Sequence, residues 1–120
     1  MDDKATVKEL KEKVKKFCEA RDWDKYHISK DLAIAISTES SELLEHFRWK
    51  TEKEIEEMFN SLEKKKQIEH ELADILHFIL RFAQTNNIDL SDALEEKLKI
   101  NEERYPVEKF KGSNKKYNEM

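Results

Sequence analysis

The chain has 120 residues, enough for one domain, and only one glycine and one proline. Charged residues make up 42% and hydrophobic residues 38%, a composition that argues against a strand-and-turn architecture and for amphipathic helices around a small core. A net charge of −4 and a pI near 5.7 argue against a protein built to bind phosphate backbones, yet leave room for a small anion held through a metal.

The start, MDDKATVKELKEKV, lacks the apolar segment of a signal peptide, and no apolar run reaches membrane length. The expectation is a cytoplasmic protein that engages neither membrane nor nucleic acid. A first helix is expected from near Thr6, where Thr6 and Glu9 fit a capping box. Val7, Leu10, Val14 and Phe17 form its apolar stripe. Cys18 is the only cysteine, so no intrachain disulfide forms and a buried, inert thiol is expected. Asp22–Ser29 breaks the helical pattern and reads as a loop carrying Trp23, Tyr26 and His27.

The stretch Leu32–Trp49 reads as a second helix capped by Ser29 or Asp31. Leu32, Ile36, Leu43 and Phe47 share one side. Glu39 falls on that same side, inside the stripe, and Glu42 lies beside it with Ala35 and His46. A carboxylate facing a core loses water at a high cost, and a cation is the usual remedy. Thr51 and Glu54 fit another capping box, followed by Ile55, Met58, Phe59 and Leu62. The charged Glu63–Lys66 reads as a solvated bend or as continuous helix. Ile68, Leu72, Ile75, Ile79 and Phe82 then make a long stripe ending near Asn86 and Asn87. Asp89 or Ser91 can start the last helix, which runs through Leu94 and Leu98 to about Arg104, where Pro106 stops it. The tail from about residue 106 is expected to be irregular. With no repeat and no linker, residues 1–120 read as one antiparallel bundle of four to five helices that assembles through helix faces.

The third long helix carries Glu71 and Asp74, spaced like Glu39 and Glu42. Residues three apart are neighbours on a helix, so two antiparallel helices can point four carboxylates into one gap. Such charges repel unless cations intervene, and hard oxygen donors suit Mg²⁺ or Mn²⁺ better than zinc. Spacing alone also fits two solvated acidic pairs, as Glu9 and Glu12 show. Burial separates the readings: Glu39 sits within a stripe and Glu71 borders one, while Asp74 lies farther toward the polar side.

With RDW at 21–23 and His27, ESSELLEHFRW at 39–49, ELAD at 71–74, IDL at 88–90 and KLKINEERYPVEKFKGSNKKY at 97–117, the chain resembles the MazG-like all-α nucleoside triphosphate pyrophosphohydrolases, and more narrowly their dCTP pyrophosphatase branch. The resemblance runs from about Phe17 to Tyr117. It implies hydrolysis of a (deoxy)nucleoside triphosphate, dCTP or a modified dNTP among them, to the monophosphate and pyrophosphate. It also implies that Glu39, Glu42, Glu71 and Asp74 bind Mg²⁺. Glu42 or Glu39 is the candidate base for the attacking water.

Trp23 and Trp49 offer flat faces on which a nucleobase can stack; the alternative is that both are packing anchors. The resemblance favours base contact for Trp49 and, less strongly, for Trp23 and His27. Asn101 and Tyr105, four apart, present one polar edge with Lys97, and the resemblance favours nucleotide contact for Asn101. Lys116 and Tyr117 can fold over phosphates, or belong to an ordinary charged tail. His46, His70 and His77 adjoin acidic residues, which invites a mixed metal site or, more simply, hydrogen-bonded histidines. The chain departs from the dCTP branch at HISKD (27–31), which lacks the expected proline and asparagine, at Phe78 in place of a tyrosine, and at Ser40-Ser41 in place of a glycine-containing interval. These departures leave the carboxylates intact and bear on base preference. The resemblance further implies a homodimer or a tetramer of dimers. Two rivals remain at this point: a non-enzymatic interaction module, and a carboxylate-bridged di-iron bundle, for which two Glu-x-x-His motifs are missing.

Overall fold

A computed structural model of the chain describes residues 1–119; the side chain of Tyr117 lies outside the described set. Among the described residues the fold is all-α, with helices α1 (Val7–Ala20), α2 (Ser29–Glu45), α3 (Glu52–Asn60), α4 (Leu62–Thr85), α5 (Leu90–Arg104) and α6 (Val107–Phe110). Short 3₁₀ turns occupy Asp24–Tyr26 and Tyr117–Glu119. The chain forms two compact units, Met1–Asn87 and Ile88–Met120.

In the first unit α4 is the central helix, against which α1, α2 and α3 pack. Its boundary with α3 is a single residue. Ser61 leaves the helical region (ψ 120°), ends α3, and accepts the Lys64 amide through its hydroxyl. Glu63–Lys66 is therefore the exposed first turn of α4, with the bend just before it. The core is small: Cys18 of α1, Leu32 of α2, and Ile68, Leu80 and Ala83 of α4 are buried. Thr51 caps α3 with both halves of the expected box, and Thr6 caps α1 through the Glu9 amide.

Helices α2 and α4 run antiparallel. Ser29 at the start of α2 is hydrogen-bonded to Asn86 just past α4 (3.0 and 3.2 Å). His46, just past the end of α2, lies 3.7 Å from Glu71 in the first half of α4. Two details of α2 differ from expectation. Its N-cap is Ile28, without a side-chain cap, because the Ser29 hydroxyl is turned to Asn86. It also ends at Glu45, since the amides of Phe47 and Arg48 both fold back to the Leu44 carbonyl. Trp49 thus does not close the helix; it sits in the following turn with a left-handed backbone (φ 64°).

In the second unit Asp89 caps α5 by accepting the Asp92 amide at 2.9 Å. The helix ends at Arg104, as expected from Pro106, and Tyr105 is its C-cap. The segment beyond is not wholly irregular: Pro106 opens the single turn of α6, and the Phe110 ring meets Tyr105 edge to face at 4.9 Å. Among the described residues no helix is long and apolar enough to cross a membrane.

Candidate active site

The antiparallel pairing of α2 and α4 brings the two acidic motifs together. Carboxylate oxygens of Glu39, Glu42 and Glu71 lie within 4.8 Å of one another. Glu39 and Glu71 are half-buried and Glu42 is exposed, which follows the helical positions: Glu39 shares the face of buried Leu32, and Glu42 sits at its edge. The Oε2 atoms of Glu39 and Glu71 are buried without a hydrogen-bond partner among the described residues. Burial pushes the Glu39 carboxyl up to about 7, reinforced by its hydrogen bond with Glu42 and by the charges of Glu42, Asp74 and Glu71. Asp74 is exposed and stands outside the close triad, as its position toward the polar side of α4 dictates, but it borders the same cavity as Glu39.

This donor set fits a hard divalent cation. Every ligand atom is a carboxylate oxygen, and the Oε2 atoms of Glu39 and Glu71 are buried without a hydrogen-bond partner among the described residues, a condition that a bound cation relieves. Glu39, Glu42 and Glu71 would hold the ion, with Asp74 at the rim. The His46 ring, 3.7 Å from Glu71 Oε1, is too distant for a hydrogen bond.

Next to the carboxylates lies a cavity of about 290 Å³ lined by Phe17, Glu39, Asp74, His77 and Phe78. Its aromatic wall is built from edges: His77 meets Phe17 at 5.8 Å and Phe78 at 5.0 Å, both nearly perpendicular. Burial lowers the basicity of His77, with Asp74 opposing and Arg81 adding to the effect. Behind it, Cys18 Sγ lies 4.0 Å from His77 Nε2. That thiol is fully buried, and burial raises its pKa, so it is the inert cysteine the sequence suggested. His77 is thus a cavity wall in contact with a thiol, Phe78 is a wall at the position where the dCTP branch has a tyrosine, and Phe17 is a wall that the sequence placed only in an apolar stripe.

Trp23 and His27 lie in the turn between α1 and α2. The Trp23 ring packs edge-on against Phe17 at 5.7 Å and against His27 at 6.2 Å, yet stays 39% exposed. The turn is tied to α4 by Arg81, which sequence reasoning missed. Arg81 is 2% exposed; its Nε donates to His27 Nδ1 at 3.0 Å, and its terminal nitrogens donate to Asp24 and Gln84. A charge inside the apolar run Ile75–Ala83 was the available signal, because such a charge requires buried partners.

Trp49 is 87% exposed, with the Arg48 guanidinium 5.2 Å from its ring centre. A bulky residue with a left-handed backbone is strained, and strain held on an exposed aromatic marks a functional candidate. In the second unit, Lys97 is exposed and Asn101 half-buried, one turn apart on α5. Tyr105 has left the helix as its C-cap, so the three do not form one continuous helical edge. The Lys116 amide donates to Glu119, and the Tyr117 side chain, also a candidate contact, lies outside the described residues.

Fold and site together define an all-α protein with a carboxylate cluster between two antiparallel helices. A MazG-like family model matches residues 34–120. The dCTP pyrophosphatase 1 proteins of Homo sapiens and Bos taurus are each 31% identical over 115 residues, 96% of this chain and 68% of theirs. The crystal structure of a pyrophosphatase from Archaeoglobus fulgidus matches with a TM-score of 0.76 at 36% identity, covering 82% of this chain and 91% of that one. The chain belongs to the MazG-like family.

The raised Glu39 carboxyl has a testable consequence. In the metal-free protein Glu39 keeps a proton that the unfolded chain gives up. Unfolding then releases a proton between about pH 4.5 and 7, and stability falls as pH rises through that window. Glu39→Gln should remove this part of the pH dependence. Denaturation in chelator at pH 5 and pH 8 should show the variant gaining on the parent at the higher pH; an equal difference at both would contradict the burial of Glu39.

Proposed function

We propose that this chain is a Mg²⁺-dependent nucleoside triphosphate pyrophosphatase, with Mn²⁺ able to substitute, acting on a (deoxy)nucleoside triphosphate such as dCTP or a modified dNTP. The observation that carries the reading is the convergence of Glu39, Glu42 and Glu71 with two buried, unpartnered oxygens, in a chain similar to proteins named dCTP pyrophosphatase 1. When bound, the cation neutralises triphosphate oxygens and stabilises the charge that develops at the α-phosphorus. Glu39, Glu42 and Glu71 would hold it, with Asp74 at the cavity rim. Glu39 or Glu42 takes the proton of the attacking water. Water oxygen then bonds to the α-phosphorus, the bond to the bridging oxygen breaks, and pyrophosphate leaves.

Trp49 supplies a face for the base, supported by its exposure. By resemblance, Trp23 and His27 are candidate nucleotide contacts in the first unit, and Lys97, Asn101, Tyr105, Lys116 and Tyr117 are candidates in the second. Residues 1–120 are read as one MazG-like domain despite the two compact units, a reading supported by the family match over residues 34–120 and by alignment over 96% of the chain. The setting is the cytoplasmic nucleotide pool, with no role for nucleic acid or membrane.

Assay with Mg²⁺ against a nucleotide panel, resolving monophosphate from diphosphate product, tests the reaction. Glu39→Gln, Glu42→Gln and Glu71→Gln should each stay folded and lose roughly 100-fold or more, since even the outer partners of metal ligands change activity about 10- to 100-fold. Normal turnover in all three would sink the metal assignment.

Stacking contributes ~1–3 kcal/mol per base and tolerates base identity, so discrimination has to come from hydrogen bonds. Trp49→Ala should weaken binding of every accepted nucleotide. Asn101→Ala should instead compress the ratio of kcat/KM between preferred and poor bases. A uniform slowing in Asn101→Ala would remove it as a base reader.

A homodimer, or a tetramer of dimers, completes the proposal. Ile34, Leu44, Leu72 and Leu76 are each more than 40% exposed, more apolar helix surface than a lone bundle needs to leave in water. Light scattering at micromolar concentration should read at least twice the 14.4 kDa chain mass; the monomer mass would exclude stable assembly.

A further inference from the structure

Arg81 carries a second assignment. We propose that Arg81 is a positioning residue that holds His27 as a neutral imidazole with its proton on Nε2, so that the ring offers the nucleotide a hydrogen-bond donor. The nucleotide half rests on the proposed function; the tautomer half rests on geometry alone.

A guanidinium has only donors. Its Nε–H points at His27 Nδ1 at 3.0 Å, so Nδ1 must offer a lone pair. An imidazolium has no lone pair to offer, and the Nδ1–H tautomer would set two donors against each other. The proton therefore sits on Nε2. Arg81 is held in place: it is 2% exposed, and each of its two terminal nitrogens donates to a protein group, one to the Asp24 carboxylate and one to the Gln84 side-chain oxygen. On one side the imidazole meets the Trp23 ring edge-on at 6.2 Å. The charged and titratable groups acting on the ring are Arg81 and His77 from α4 and Asp24 from the turn. Burial foremost, then Arg81 and His77, disfavour a second proton, and Asp24 opposes them.

This fixes the chemistry His27 can read. A locked Nε2–H recognises an acceptor, such as a base carbonyl or ring nitrogen, a sugar hydroxyl oxygen or a phosphate oxygen. It rejects a group that has only donors to present. A histidine free to change tautomer would accept either, so the buried guanidinium converts an ambiguous side chain into a selective one.

Nitrogen-15 NMR of the histidine side chains in the full chain decides the tautomer without a variant. The expected His27 pattern is a protonated Nε2 with a lone pair on Nδ1, persisting below the pH at which an ordinary histidine takes its second proton. A proton on Nδ1, or a charged ring at neutral pH, overturns the proposal. Arg81→Gln, whose side-chain amide can donate or accept, should give mixed tautomers and raise KM roughly three- to tenfold, the factor one neutral hydrogen bond carries, with kcat little changed. If that variant does not fold, the parent spectrum still decides. For the nucleotide half, His27→Gln keeps a donor and should retain most activity, whereas His27→Leu should not; equal loss in both would overturn the donor role. If the parent chain turns over no nucleotide, the proposed function falls, and the spectrum still decides what Arg81 does.

Discussion

Two carboxylate oxygens, Glu39 Oε2 and Glu71 Oε2, are buried between α2 and α4 without a partner among the described residues. Helix packing and charge oppose each other at this point. The apolar residues that bury Leu32, Ile68 and Leu80 draw the two helices together, and in doing so they carry acidic groups out of water. Glu39 responds by holding its proton toward neutral pH. The rest of the unit supplies the rigidity this arrangement demands. α4 spans 24 residues from a side-chain cap at Ser61, and the Ser29–Asn86 hydrogen bonds fix the far end of the α2–α4 pair.

Arg81 is the counterpoint on the same helix. It lies ten positions after Glu71, about 15 Å along the axis. Its charge is more deeply buried than that of Glu71, and all three of its nitrogens donate to protein groups. A buried charge with its own partners fixes geometry; a buried charge without them awaits a ligand. α4 thus carries one polar group that shapes the chain and one that defines a site, and the Asp24–His27 turn is rigid for the first reason.

The site was legible in the sequence where a local rule was broken on a periodic background. Glu39 interrupts an otherwise apolar stripe, and the antiparallel order of the helices then brings Glu71 opposite. Caps were legible at Thr51 and Asp89 because their signals span three residues. The end of α2 was not. The apolar period continues through Phe47, and only the fold-back of two amides to Leu44 stops the helix. Arg81 was missed for another reason: its partners Asp24 and His27 are 57 and 54 residues away, a separation that no helical period encodes. The single turn of α6 is too short for any period to register.

The places where local rules fail lie close together in the chain. Glu39 places a carboxylate in a core stripe, and ten residues later Trp49 holds a bulky side chain in water on a left-handed backbone. The second feature costs roughly 1–2 kcal/mol, and the first destabilises the metal-free fold at neutral pH. Neither helps the folded chain alone, and selection for stability would replace both. Ligand binding reverses the balance: a cation at 100 times its dissociation constant stabilises the folded state by about 2.7 kcal/mol, because the folded chain presents a charge arrangement the unfolded chain lacks. In the proposed function the two features would serve different ends of a nucleotide. Carboxylates that hold a cation act on the triphosphate, which every nucleotide shares. An aromatic face acts on the base and tolerates its identity. Selectivity must therefore reside in side chains whose hydrogen-bonding sense is fixed, and among the described residues His27 is a histidine whose Nδ1 is committed to a buried guanidinium.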